Sequence, residues 1–211
     1  MTVPRTITQA IALYLLALSV AAALNIAPSA EEAQPLQPGD RAPAFTVYHV
    51  DGSPFAFDPD QLERPALLIT FRGGWCPYCN THLQELRHVI PEIKAAGYDV
   101  LFLSADRPEI LYSSLKEESQ DLDYLVLSDS KLEAASALGI AFQLPDAQVE
   151  RYKQYGIDLE KASGESHHGL PVPAVFVIDT AGMITYVYAN PDYTVRLSAD
   201  EVRAAALGEG T

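Results

Sequence analysis

Ala66-Leu67-Leu68-Ile69-Thr70-Phe71-Arg72-Gly73-Gly74-Trp75-Cys76-Pro77-Tyr78-Cys79 passes from an apolar run, through two glycines, into a segment with helical spacing. Residues 66–71 do not alternate polar with apolar, so the strand they predict is covered on both faces and helices should flank its sheet. Beyond Cys79, the apolar positions Leu83, Leu86, Val89, Ile90 and Ile93 recur at helical intervals. Gly97 ends that helix, and Pro91 predicts a bend within it.

Working outward, Ala44 to Tyr48 precedes this core segment as a strand, bounded by Asp51-Gly52. Downstream, strands over 99–104 and 124–127 alternate with helices over 108–118 and 131–138. That rhythm predicts an α/β chain with a central mixed sheet flanked by helices. Residues 140–172 interrupt it and read as an insertion, with a helix over 146–155 and a polar loop over 161–169. Val175 to Asp179 returns to strand and pairs with Ile184 to Tyr188 as a hairpin across Thr180-Ala181-Gly182. Ser198 and Glu201 predict a capping box on a last helix.

At 211 residues the chain is long enough for one substantial core, and 48% hydrophobic against 20% charged residues excludes a disordered or collagen-like chain. The net charge of −14, from 14 basic and 28 acidic residues, opposes binding to a nucleic-acid backbone or an anionic membrane surface. Residues 1–30 carry only Arg5 as a charge and contain the apolar stretch Ala10 to Leu24. They read as a signal peptide or an N-terminal anchor, with small residues at Ala21-Ala22-Ala23 and Ala27-Pro28-Ser29 as candidate cleavage points. Export to a periplasmic or other extracytoplasmic compartment is the expectation. Residues 31–38, with two prolines, read as a linker, and residues 39–211 as the single domain.

The chain has only two cysteines, three apart, at the point where strand turns into helix. Unpaired N–H groups and the helix dipole at such a start stabilise a thiolate, the nucleophile of disulfide exchange. On this reading Cys76 attacks, and Cys79, one turn inward, resolves the mixed disulfide. A stabilising bridge closing so short a loop removes little chain entropy. A metal site needs further ligands from the scattered His49, His82, His88, His167 and His168. Neither a metal nor a cofactor is expected.

Trp75-Cys76-Pro77-Tyr78-Cys79 resembles the thioredoxin active-site pattern, and Val172-Pro173, followed by Ala174 to Asp179, is similar to the segment that carries the cis-proline of such proteins. Gly39-Asp40-Arg41-Ala42-Pro43-Ala44-Phe45, with Asp51-Gly52 after it, resembles the opening of the alkyl hydroperoxide reductase and thiol-specific antioxidant proteins, the peroxiredoxin superfamily. The likeness runs to about residue 207. Phe71 to Cys79, Gly156-Ile157-Asp158-Leu159 and Asn190-Pro191-Asp192-Tyr193-Thr194 look most like the peroxiredoxin-like members with a Cys-x-x-Cys motif.

The resemblance implies a thioredoxin-like fold and an oxidoreductase cycling between dithiol and disulfide at Cys76 and Cys79. Its partners would be protein or small-molecule disulfides and thiols, or hydroperoxides, together with an electron-donor redox protein. Pro173 would shape the docking groove, while Trp75, Pro77 and Tyr78 contact the partner and tune the pair.

The alternative is a thiol-dependent peroxidase on the same cysteines. Peroxiredoxins use a proline, a threonine or serine and a cysteine in fixed spacing, with a distant arginine. With Cys79 in the peroxidatic place, Arg72 stands at the proline, Cys76 at the hydroxyl residue and Pro173 at the arginine. Arg72 is then the candidate substitute for lowering a thiol pKa or holding an oxyanion. A non-catalytic binding module on a redox fold is a third reading. His167-His168 reads as a surface loop and the tyrosines Tyr152, Tyr155, Tyr186, Tyr188 and Tyr193 as packing residues.

Overall fold

A computed structural model describes residues 24–115 and 124–209. Most of the expected leader, including Ala21-Ala22-Ala23, lies outside the described residues, as does the end of the helix expected over 108–118.

In chain order the elements are β1 (Phe45–Tyr48), β2 (Pro54–Phe57), β3 (Ala66–Phe71), α1 (Pro77–Leu86), α2 (Ile90–Ala95), β4 (Asp99–Ser104), α3 (Pro108–Leu115) and β5 (Leu125–Ser128). There follow α4 (Glu133–Ala137), β6 (Ala141–Gln143), α5 (Asp146–Gln154), α6 (Leu159–Ser163), β7 (Gly169–Pro171), β8 (Ala174–Ile178), β9 (Ile184–Ala189) and α7 (Ala199–Leu207). A seven-stranded sheet has the order β2-β1-β5-β4-β3-β8-β9. Strands β3, β4 and β5 are parallel, whereas β8 runs antiparallel to β3, and β1 antiparallel to β5. The sheet is mixed and flanked by helices, as expected from the alternating elements.

Every residue of β3 is buried. Leu68 joins the apolar layer containing Phe176, Leu103 and Leu127, and Leu67 and Ile69 join the opposite layer with Phe102, Leu86 and Ile93. Burying each such side chain contributes roughly 1.5–3 kcal/mol, so the strand feeding the cysteine motif is anchored from both faces. Truncating Leu67 or Ile69 to alanine costs about 2–5 kcal/mol.

Several local expectations change. The long helix after Cys79 is two helices, broken over residues 87–89, where His88 N–H and Val89 N–H make short-turn bonds to Glu85 and Leu86 carbonyls. Pro91, expected to bend one helix, sits in the first turn of α2, where its missing N–H is tolerated. The polar loop over 161–169 contains the end of α6 and the start of β7, and β7 pairs with β6 in a second, two-stranded sheet. The hairpin of β8 and β9 and the capping box of Ser198 with Glu201 are as expected.

Residues 31–38 are packed onto the domain and do not form a linker. Leu36 N–H donates to Leu138 O at 3.1 Å, and Ile26, Ala30, Ala33 and Leu36 lie against the core. Upstream, Ala27 runs parallel to β6, donating to Ala141 O at 2.9 Å and accepting from Gln143 N at 2.8 Å. Gly139 lets the Gln34 backbone pass close by, since a Cβ there would sit 2.0 Å from Gln34 O.

Candidate active site

The site begins where β3 ends. Arg72 follows Phe71, and Gly73 and Gly74 turn the chain into α1, of which Cys76 is the N-cap and Pro77 the first residue. Cys76 N–H donates back to Gly73 O at 3.1 Å. Asp106, buried just past β4, holds the turn: it accepts from Gly74 N at 2.7 Å and from Trp75 Nε1 at 3.1 Å. The fit is tight enough to require glycine at 73, where a Cβ would meet Trp75 Nε1 at 2.4 Å and an Asp106 carboxylate oxygen at 2.6 Å. Burial, partly opposed by those two hydrogen bonds, pushes the Asp106 carboxyl up to about 6.

Both cysteines are buried free thiols, one helical turn apart. The sequence alone assigned the attacking thiolate to Cys76; the surroundings favour Cys79. Cys79 is lowered to about 6, first by a hydrogen bond from the Cys76 thiol, and then, against the cost of burial, by the Arg72 backbone N–H and the Arg196 guanidinium. Arg196 Nη2 lies 3.5 Å from Cys79 Sγ. Cys76 is raised, first by that same hydrogen bond to Cys79 and then by burial. The helix start favours a thiolate near either sulfur, and the Arg196 charge lies beside Cys79.

Arg196 is held in turn. Its guanidinium donates to Tyr193 O and, at 3.1 Å, to Val195 O. The next residue, Leu197, offers its carbonyl at 2.9 Å from Nε2 of the buried His82. Burial lowers the His82 pKa, so the ring is neutral and its Nε2–H is the donor to that carbonyl.

Arg72 occupies an aromatic cage. Its guanidinium carbon lies 4.0 Å from the Tyr193 ring centroid, 5.1 Å from Trp75 and 5.5 Å from Tyr152. It donates to the Tyr152 hydroxyl, and its Nε is buried without a partner. Tyr152 and Tyr193, taken from sequence as packing residues, are therefore part of the site. Trp75 faces Arg72 and Asp106, while Tyr78 is half exposed and meets Tyr193 edge-on at 5.8 Å.

Pro173 stands opposite Phe71 when the β3–β8 register is extended, at the end of the sheet where the cysteine turn begins. The expected cis isomer is absent: its peptide bond is trans. Thr70 Oγ1 accepts from Ala174 N at 2.9 Å and donates to Val172 O at 3.1 Å, keeping the connection extended from β7 into β8. His167 bonds the Ser130 carbonyl, and His168 meets Glu160 at 2.7 Å, as befits the loop reading. Among the described residues no three His, Cys, Asp or Glu side chains converge as a metal site.

Sequence reasoning missed Arg196, Asp106 and His82. Asp106 lies at the end of a predicted strand, the usual place for site residues in an α/β sheet, which was the available signal. Nothing local marks Arg196, which lies 117 residues from Cys79.

Residues 38–187 match the AhpC/TSA family. Peroxiredoxin Bcp of Escherichia coli strain K12 is 32% identical over 155 residues, covering 73% of this chain and 86% of that protein. The thiol-disulfide oxidoreductase ResA of Halalkalibacterium halodurans is 22% identical over 102 residues, 48% of this chain and 56% of its own. Among solved structures, peroxidoxin BcpB from Mycobacterium tuberculosis superposes with a TM-score of 0.61 at 18% identity, covering 83% of this chain and 99% of that one. The fold is thus the thioredoxin-like one, and the chain, a peroxiredoxin-like oxidoreductase, belongs to the AhpC/TSA family.

Proposed function

We propose that this protein is a thiol-dependent peroxidase in which Cys79 attacks a hydroperoxide and Cys76 closes the disulfide. The observation that carries this reading is the Arg196 guanidinium beside Cys79, its Nη2 3.5 Å from the Sγ. The likeness to peroxiredoxin Bcp supports the same chemistry.

The Cys79 thiolate attacks the distal oxygen of the hydroperoxide. A sulfur–oxygen bond forms, the oxygen–oxygen bond breaks, and the alkoxide leaves, taking up a proton to become the alcohol. Arg196, beside the sulfur, keeps it a thiolate, and its guanidinium is the group nearest to stabilise the leaving oxygen, where one fixed donor is worth about 10²–10³ in rate. Cys76 sulfur then attacks Cys79 sulfenic acid: the disulfide forms, and hydroxide leaves as water with the Cys76 proton. An external dithiol returns two electrons and two protons, becoming a disulfide itself. The chain works outside the cytoplasm on this proposal, supported by the apolar, nearly uncharged composition of residues 1–30.

Disulfide exchange through the same pair is the second reading, favoured by the half-exposed Tyr78 between the two cysteines, a ready contact for a partner chain. The test uses single-cysteine variants. Cys76→Ser should be oxidised by one equivalent of peroxide to a trappable sulfenic acid, and Cys79→Ser should react no faster than a free thiol. The opposite pattern reverses the roles. Slow peroxide reaction of every form, with rapid wild-type exchange against a protein disulfide, supports the second reading.

A further inference from the structure

Arg72 is a buried cation whose side chain has aromatic rings and a tyrosine hydroxyl around it, and no carboxylate salt bridge among the described residues. Leaving one charge of a buried pair without its counterpart is strongly unfavourable, so such a position is suited to an anion arriving from outside. A cleft of about 470 Å³ opens against Arg72, a volume suited to a small organic ligand. Phe142, Leu144 and Pro145 of the insertion give it an apolar wall, and Gln148 of α5 and Tyr193 complete the surroundings of Arg72. Gln148 Nε2 also reaches the Tyr152 hydroxyl at 3.4 Å, the group to which Arg72 donates.

Two acids reach the cleft, both exposed. Asp192 is engaged by its own turn, accepting from Thr194 N at 3.0 Å and Thr194 Oγ1 at 2.7 Å. Glu31 lies in the N-terminal segment. Both are exposed to water, which screens their charge, whereas the Arg72 charge is shielded from water. The cleft therefore pairs a desolvated cation with an apolar wall.

We propose that this cleft binds the carboxylate of a small anionic hydroperoxide with a compact apolar body, Arg72 being the carboxylate anchor and Arg196 the group that serves Cys79. The proposal rests on the peroxidase reading and adds the substrate class to it. A guanidinium is suited to the task because its planar fork matches a carboxylate and stays charged at any working pH.

The test compares tert-butyl hydroperoxide, which is neutral, with an analogue carrying a carboxylate on one methyl group, using the full chain and dithiothreitol as reductant. The anionic substrate should show a kcat/KM roughly tenfold to a hundredfold higher, expressed mainly in KM, as a charge-assisted hydrogen bond supplies. Arg72→Gln should bring the ratio of the two substrates close to one. Pro191→Glu, adding a charge at the exposed edge, should raise KM for the anion more than for the neutral peroxide. In parallel, isovalerate, the same carboxylate without the peroxide, should change the fluorescence of Trp75 in the wild type and not in Arg72→Gln. Equal kcat/KM for both hydroperoxides with no isovalerate response overturns the cleft proposal and leaves the peroxidase reading standing. An Arg72-dependent isovalerate response with neither hydroperoxide reacting leaves the carboxylate site standing and overturns the peroxidase reading.

Discussion

Replacing Arg196 with methionine removes the charged donor 3.5 Å from Cys79 Sγ while keeping a side chain of similar length. A hydrogen bond to a charged group is worth about 1.5–3 kcal/mol, or roughly one to two pH units at 1.36 kcal/mol each. Cys79, whose pKa the guanidinium helps to lower, should therefore ionise roughly one to two pH units higher in the variant. The sign follows from the thiolate being the reactive form: it is present above the midpoint and lost as pH falls through it. Below both midpoints the variant holds roughly a tenth to a hundredth as much thiolate, so ionisation alone slows its reaction by about ten- to a hundredfold there. If the same guanidinium also donates to the departing oxygen in the proposed reaction, its loss adds about 10²–10³.

The two contributions separate with pH. Near pH 9 both proteins are ionised, so the first vanishes and the second persists. The assay is a pH series of single-turnover oxidation by hydrogen peroxide, followed by Trp75 fluorescence, with thiolate absorbance read alongside. Both arms carry Cys76→Ser, which keeps a hydroxyl donor beside Cys79 and removes the second titrating thiol. The same midpoint and the same rate in both arms would refute both the role of Arg196 and the choice of Cys79 as attacking thiolate.

Asp106→Asn places an amide N–H₂ against one of two loop donors; the expected loss is about 1–3 kcal/mol in urea unfolding, together with a lower Cys79 midpoint because a neighbouring negative charge is gone. Burial raises Asp106 to about 6 and Asp129 to about 7 from 3.8, so the folded state holds protons that the unfolded chain has released. Their contribution to stability is full below 3.8 and is lost as pH rises through 6 and 7. Urea midpoints across that window should fall, and Asp129→Asn should flatten the upper part. If the leader is cleaved, the cut is expected after Ala23, since a cut after Ser29 would remove both Ala27 bonds to β6. Sequencing the mature N-terminus should find Leu24 first, and Ala30 there would refute this.

The central frame was legible because its signals are local. An unbroken apolar β3 must lie between two layers, two glycines before a Cys-Pro start must be a turn into a helix, and Ser198 with Glu201 must cap one. The insertion was less legible, since β6 and β7 are three residues each and exist only by pairing with one another. The N-terminal segment was misread because prolines in 31–38 obscured the apolar Ala33 and Leu36, whose partners lie a hundred residues away. At the site, local signals located both sulfurs and put Cys76 first, with Cys79 first only in the peroxidase alternative. That order depends on charges supplied by distant parts of the chain.

On the proposed mechanism, Arg72 offers a way for a Cys-x-x-Cys pair to work without the usual proline. In the register that places Cys79 at the peroxidatic position, Arg72 occupies the place of that proline. A proline there has no N–H, whereas the Arg72 backbone helps to lower the Cys79 pKa. Its side chain acts separately, since the guanidinium charge pulls the Cys76 thiol down against the larger effects that raise it. In the proposed reaction one residue would bear on both half-reactions, its main chain on the attack by Cys79 and its side chain on ionisation of Cys76 when the disulfide closes. Arg72→Gln keeps the first and removes the second, so peroxide oxidation of Cys79 should persist while disulfide closure slows. A rapid quench that separates sulfenic acid from disulfide reads the two steps apart. Equal slowing of both would mean that the guanidinium acts on the peroxide as well.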